Sequence, residues 1–185
     1  MQNNGVSASA ALLKLKEGNA RYLNAKTGAG DISPEIRKET FAHGQKPYAV
    51  IVSCADSRVI PEAVFSAGIG DLFVVRVAGN VIDNNQLGSI QYAVEHLGSQ
   101  LVVVLGHTQC GAVGAALHDN CGYVKHITDE IRQAIGTETD PEKASILNVR
   151  HSVQKIKSLL NLPKGVEVCG ALYRTDTGRV DFDIC

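Results

Sequence analysis

A chain of 185 residues can bury a substantial core in one domain, and 44% hydrophobic with 20% charged residues is the balance of a globular protein, not a disordered or fibrous one. The formal net charge is −1, with no basic face or charge block to suit nucleic acid or an anionic lipid surface, and no apolar run nears the roughly 20 residues that span a bilayer. Met1–Gly5 has neither a positive n-region nor an apolar h-region, and the five cysteines lack a disulfide-framework spacing, so a reducing, cytoplasmic setting with thiols free for metal is expected.

Ser7–Asn24 sets Ala11, Leu12, Leu15, Tyr22 and Leu23 among charges and reads as an amphipathic helix, with little nearby in sequence to cover its apolar face. A loop over Thr27–Asp31 follows. Ser33 as N-cap and Pro34 at N1 open a short second helix toward Phe41. His43–Pro47 then turns into the first buried strand, which ends at Ser53. Pro61–Phe65 reads as a short helix, Leu72–Val77 as a second strand broken by Gly79-Asn80, and Leu87–Leu97 as a helix stopped by Gly98. Leu101–Leu105 is a third strand, Gly111–His118 a small-residue helix, and Tyr123–Ile135 and Pro141–Leu160 two longer helices. Val166–Tyr173 is a fourth strand, Thr175–Gly178 a hairpin turn, and Arg179–Ile184 an alternating edge strand. Strands separated by helices imply crossover units. The expected fold is α/β: a mainly parallel central sheet of four strands with an antiparallel C-terminal edge strand and flanking helices. One domain is expected, with residues 1–44 as a helical arm and 45–185 as the α/β core.

Two motifs stand where strands end, which is where open α/β sheets bind ligands. The first is Cys54-Ala55-Asp56-Ser57-Arg58 after the first strand; the second is His107-Thr108-Gln109-Cys110 after the third. Alone, Cys54 would read as a small core residue and His107 as a turn histidine. Together, two thiols and an imidazole at adjoining strand ends make a zinc site, and three protein ligands leave a fourth position open, as in catalytic zinc. Water there would be acidified, although two thiolates cancel the formal charge of Zn2+ and weaken the effect. Asp56 is the alternative fourth ligand, which would close the site. Asp56 and Arg58 share parity on an extended segment, so Arg58 can hold the carboxylate in a bidentate pair and free it to orient zinc-bound hydroxide.

The two motifs resemble those of the β-class carbonic anhydrases. Leu15–Asn19, Gly70–Arg76, Gly79-Asn80, Tyr92–Val94, Asn148-Val149 and Gly170–Tyr173 match further family segments in order, so the resemblance covers nearly the whole chain. It implies reversible hydration of carbon dioxide to bicarbonate and a proton, with Zn2+ on Cys54, His107 and Cys110 and with Asp56 and Arg58 as the catalytic dyad. Gln45 matches the glutamine that binds substrate or an anion across a dimer interface, and Phe73 and Tyr92 match the pocket-wall aromatics of plant-like members. Without the resemblance these three would be ordinary turn, strand and helix residues.

The sequence departs from the family in places. Val77 follows Arg76 where Asn is usual. Ile51 and Ser53 replace the Trp and Gly of an inhibitory bicarbonate site, and only Val59 matches its third member, so no bicarbonate switch is expected. Cys121, Cys169 and Cys185 match no ligand position: Cys169 is expected in the core and Cys185 as an exposed terminal thiol. The family also implies a homodimer in which the N-terminal helix of one subunit wraps the other, and dimers can pair into tetramers through the C-terminal edge strand. A related zinc hydrolase acting on carbon disulfide or carbonyl sulfide is the alternative enzyme, and a closed-site zinc protein with Asp56 as permanent ligand the non-enzyme alternative. A nucleotide-binding module is disfavoured because Gly111–Gly114 is no phosphate loop.

Overall fold

The computed structural model describes residues 5–25, 30–118, 122, 124–182 and 184. Five strands form one sheet in the order β2-β1-β3-β4-β5: β1 (Ala49–Ser53), β2 (Leu72–Arg76), β3 (Leu101–His107), β4 (Glu167–Tyr173) and β5 (Val180–Asp181). The first four are parallel and β5 is antiparallel to β4, as expected. β1 and β3 are central and buried throughout, so both faces are covered and their runs are apolar without alternation. β2 is an edge, and its first four residues are only half-buried.

Two apolar layers cover the sheet. On one face α1 (Ala8–Asn24) sets Ala11 and Leu15 against Ile51, Val103 and Leu105. On the other, α4 (Asn84–Glu95) and α7 (Pro141–Leu159) pack Ile90, Val149, Val153 and Ile156 on Val50, Val52, Val102 and Val104. The apolar face of α1, which local sequence left without a partner, is thus buried on this chain's own sheet. Asn19 stitches it there: Nδ2 donates to Val64 O and Gly178 O, and Oδ1 accepts from Val180 N. By contrast α2 (Pro34–His43) buries no residue, and Phe41 at its end is 93% exposed.

Several boundaries differ from the sequence reading for local reasons. α4 begins at Asn84 rather than Leu87, because Asp83 and Gln86 form a capping box. β3 continues through Gly106 to His107, because both residues pair with β4. Gly106 suits that position: a Cβ would lie 2.4 Å from Val149 Cγ2. The last strand is two residues long rather than six, pairing only Leu172 with Asp181 and Tyr173 with Val180. Phe182 then turns its ring toward Phe65, with centroids 6.1 Å apart. α3 (Pro61–Val64), α5 (Gly111–Ala116) and α6 (Val124–Ile135) complete the fold, with a 3-10 turn at Ala78–Asn80. Cys169 is half-buried beside the α1-side core; Cys121 and Cys185 lie outside the described residues.

Candidate metal centre

Cys54 follows β1, His107 ends β3, and Cys110 is the N-cap of α5. Since β1 and β3 are neighbouring parallel strands, their C-terminal ends bring the two motifs together. One donor atom from each of Cys54, His107 and Cys110 lies within 4.8 Å of the other two, and all three residues are buried. Nδ1 of His107 lies 2.9 Å from Thr108 O, an acceptor only, so Nδ1 carries the proton and the Nε2 lone pair is left free. Nε2 is buried and makes no hydrogen bond among the described residues. An orphaned imidazole nitrogen facing two thiols is the donor set that zinc takes, so the residues present fit that ion.

The thiols show the same poise. Cys110 hydrogen-bonds Cys54, which holds the Cys54 pKa below the ordinary thiol range and pushes that of Cys110 up, with burial adding to the rise. The pair therefore shares a proton that a cation can replace. Cys54 Sγ also accepts from Asp56 N at 3.4 Å and from Gly79 N at 3.3 Å.

Asp56 stands beside this set without joining it. Its Oδ2 is 3.9 Å from His107 Nε2, yet both of its oxygens are taken by Arg58. Nε donates to Oδ1 at 3.0 Å, Nη2 to Oδ2 at 2.7 Å, and the Arg58 backbone N–H to Oδ1 at 2.9 Å. The guanidinium thereby holds the Asp56 carboxyl well below the usual carboxylate range. Arg58 Nη2 also donates to Gln109 O at 2.9 Å, so one side chain ties both ligand loops. Gln109 has φ +56°, and this turn aims its carbonyl at Arg58.

The three further residues that the resemblance assigned to a pocket lie elsewhere in the chain. Gln45 is exposed and precedes β1, whereas Cys54 follows it. Strands rise about 3.3 Å per residue, so β1 alone separates those ends by roughly 15 Å, beyond a glutamine's reach. Phe73 lies on β2 and pairs with Val50 of β1, three positions before Arg76, which pairs with Ser53 at the ligand end. Its ring centroid is 6.2 Å from that of Tyr92, which is 48% exposed on α4 and 5.3 Å from the His96 ring. Within one chain these aromatics form a patch beside the β2 edge.

Sequence reasoning missed the groups that brace the loops. Arg76 donates from Nε to Cys54 O at 3.1 Å and from Nη2 to Asp56 O at 2.7 Å. Its position at the end of a strand parallel to β1 was the available signal. Thr108 Oγ1 accepts from Thr175 N at 3.0 Å, which ties the second motif to the turn after β4. This link joins residues 67 apart and left no trace in local sequence.

The family model described as carbonic anhydrase matches residues 49–180. Carbonic anhydrase 2 of Mycobacterium tuberculosis is 38% identical over 187 aligned residues, covering 92% of this chain and 90% of the relative. The crystal structure of a β-carbonic anhydrase of Aspergillus fumigatus superposes with a TM-score of 0.69 at 28% identity, covering 96% of this chain and 91% of that one. A tetrameric β-carbonic anhydrase of Sordaria macrospora gives 0.68 at 27% identity over 82% and 88% of the two chains. With its five-stranded sheet and its Cys-His-Cys cluster at the ends of neighbouring strands, the chain belongs to the β-class carbonic anhydrase family.

Proposed function

We propose that this protein catalyses the reversible hydration of carbon dioxide to bicarbonate and a proton, with zinc held by Cys54, His107 and Cys110. The observation that carries the reading is the unpartnered Nε2 of His107 beside two thiols, with Asp56 turned toward it and held off by Arg58. When bound, zinc supplies a Lewis acid that brings the pKa of water toward neutrality.

The chain's own residues do the rest. Asp56 stays ionised because Arg58 donates to both of its oxygens. A carboxylate fixed in this way can accept a hydrogen bond from the attacking water and turn its lone pair toward carbon dioxide. Arg58 keeps Asp56 from closing the fourth position, which speaks against a permanently closed zinc protein. Gln45 belongs to the same site only if a second copy of the chain brings it, as the roughly 15 Å along β1 implies, and Phe73 and Tyr92 would line the pocket from that copy's β2 edge. A homodimer that covers the half-buried β2 edge and the exposed α2 would do so. Carbon dioxide is small and carries no net charge, which suits an apolar wall of two aromatics with one amide donor. The tetrameric Sordaria relative gives precedent for assembly. No helix among the described residues is long and apolar enough to cross a membrane, and thiols kept reduced at Cys54 and Cys110 suit a reducing cytoplasm. Carbon disulfide and carbonyl sulfide are not favoured as substrates.

Stopped-flow measurement with a pH indicator, from about pH 6.5 to 9, tests the reading. Protein carrying about one zinc per chain should hydrate carbon dioxide. Fully zinc-loaded protein without activity anywhere in that range would refute it, and activity confined to the alkaline end would show that Asp56 closes the site near neutrality.

A further inference from the structure

Of the two N–H groups that Cys54 Sγ accepts, one belongs to Asp56 in the same loop. The other belongs to Gly79, in the 3-10 turn between β2 and α4. Gly79 has φ +68°, a conformation that L side chains avoid, and a Cβ there would lie 2.7 Å from Ile131 Cδ1. A turn so placed needs anchorage, and α7 provides it. Asn148 Nδ2 donates to Gly79 O at 2.7 Å, and Ser152 Oγ donates to Asn80 O at 3.2 Å. Four residues apart, the two side chains lie on one helix face. Each is 2% exposed on a helix that otherwise buries Val149, Val153 and Ile156. Polar groups are costly at such positions unless they are bonded.

We infer that Asn148 and Ser152 are positioning residues of the metal centre: from α7 they hold the Gly79–Asn80 turn so that the Gly79 N–H stays aimed at Cys54 Sγ. The inference rests on the metal-binding part of the reading above. An N–H donated to a thiolate draws electron density from sulfur and so limits what sulfur gives to a bound cation. Two thiolates cancel the formal charge of a divalent ion, so this bond helps preserve the electrophilic character that hydration requires. The polar pair on α7 thus acts on the ligand set through the turn, without touching substrate.

Cobalt(II), exchanged for zinc in the intact protein, is the probe, because its thiolate charge-transfer band reports electron density on sulfur. Asn148→Ala should move the band to longer wavelength, because sulfur that loses the N–H gives more electron density to the cation. Ser152→Ala should do the same more weakly, and Ser152→Thr, which keeps the hydroxyl, should restore the native band. Val153→Ala opens a gap in the α7 core without removing a donor to the turn; it should lower the melting temperature and leave the band in place. An unmoved band in folded Asn148→Ala and Ser152→Ala overturns the inference, as does a Val153→Ala shift equal to that of Asn148→Ala. If Asn148→Ala does not fold, the Ser152 variants decide alone, and an unmoved band in Ser152→Ala refutes it. Wild-type protein that shows the band but no hydration activity would refute the proposed function and leave this inference standing.

Discussion

The two ends of β1 are furnished very differently. Beyond its C-terminal end, Cys54, His107 and Cys110 converge within one chain, buried and braced by Arg58, Arg76 and Gly79. Before its N-terminal end, Gln45 stands exposed after α2, a helix that buries no residue. The first region is complete in itself. The second, with the Phe73 and Tyr92 patch, leaves Gln45 and Tyr92 exposed. On the proposed reading, metal binding and substrate binding are separable: the first needs one folded chain, the second a further copy.

The severest test of the self-sufficient end is Cys110→Ser. It removes one of the two thiols that the cluster contains among the described residues, so metal content by elemental analysis and activity should both fall to background. Metal retained at full stoichiometry would remove Cys110 from the ligand set. Asp56→Asn comes next, with metal kept and turnover lowered by about 100-fold; full activity in that protein would end its assigned role.

The other end responds more gently. Gln45→Ala should lower kcat/KM by about 10-fold with no change in metal content. Because Gln45 is exposed, the variant's stability should stay within about 0.5 kcal/mol of the parent. Mixing Gln45→Ala with Cys110→Ser tests the two-chain arrangement directly. A mixed dimer pairs an intact metal centre on one subunit with an intact Gln45 on the other, so activity should rise above that of either variant alone. No gain after subunit exchange, verified by mass spectrometry, would place Gln45 outside the site.

The smallest effect concerns acid. The folded-state pKa of Asp56 is depressed, chiefly by the Arg58 hydrogen bond. Its contribution to stability is therefore present above the ordinary carboxylate value of about 3.9 and is lost as pH falls below it. The difference in urea midpoint between metal-free wild type and Asp56→Asn should be constant from about pH 7 to 5 and shrink below about pH 4. A difference that grows toward acid would contradict the pairing.

Much of this was legible before any coordinates. Ser33-Pro34, the buried runs of β1 and β3 and the Thr175–Gly178 turn each carry a local signal, and the helices and parallel sheet follow from them. What misled was also local. Gly106 looks like a strand stop, yet β3 runs through it because β4 supplies its hydrogen bonds. The alternation of Val180, Phe182 and Ile184 looks like a long edge strand, yet pairing stops at Asp181. The apolar face of α1 looked unpartnered because the residues that bury it, Ile51, Val103 and Leu105, are 36 residues or more from Leu15 along the chain.

The sequence alone determined which side chains each loop presents, because Cys54, Asp56 and Arg58, like His107 and Cys110, stand only a few residues apart at one strand end. Only the tertiary structure decided how they are held. The tie from Arg58 to Gln109 and the clamp of Arg76 on Cys54 and Asp56 depend on which strands are neighbours. The support of Gly79 by Asn148 depends on where α7 crosses the sheet. Spacing reports contacts a few residues apart, whereas bonds that span from 20 to 72 residues exist only once the layers have packed.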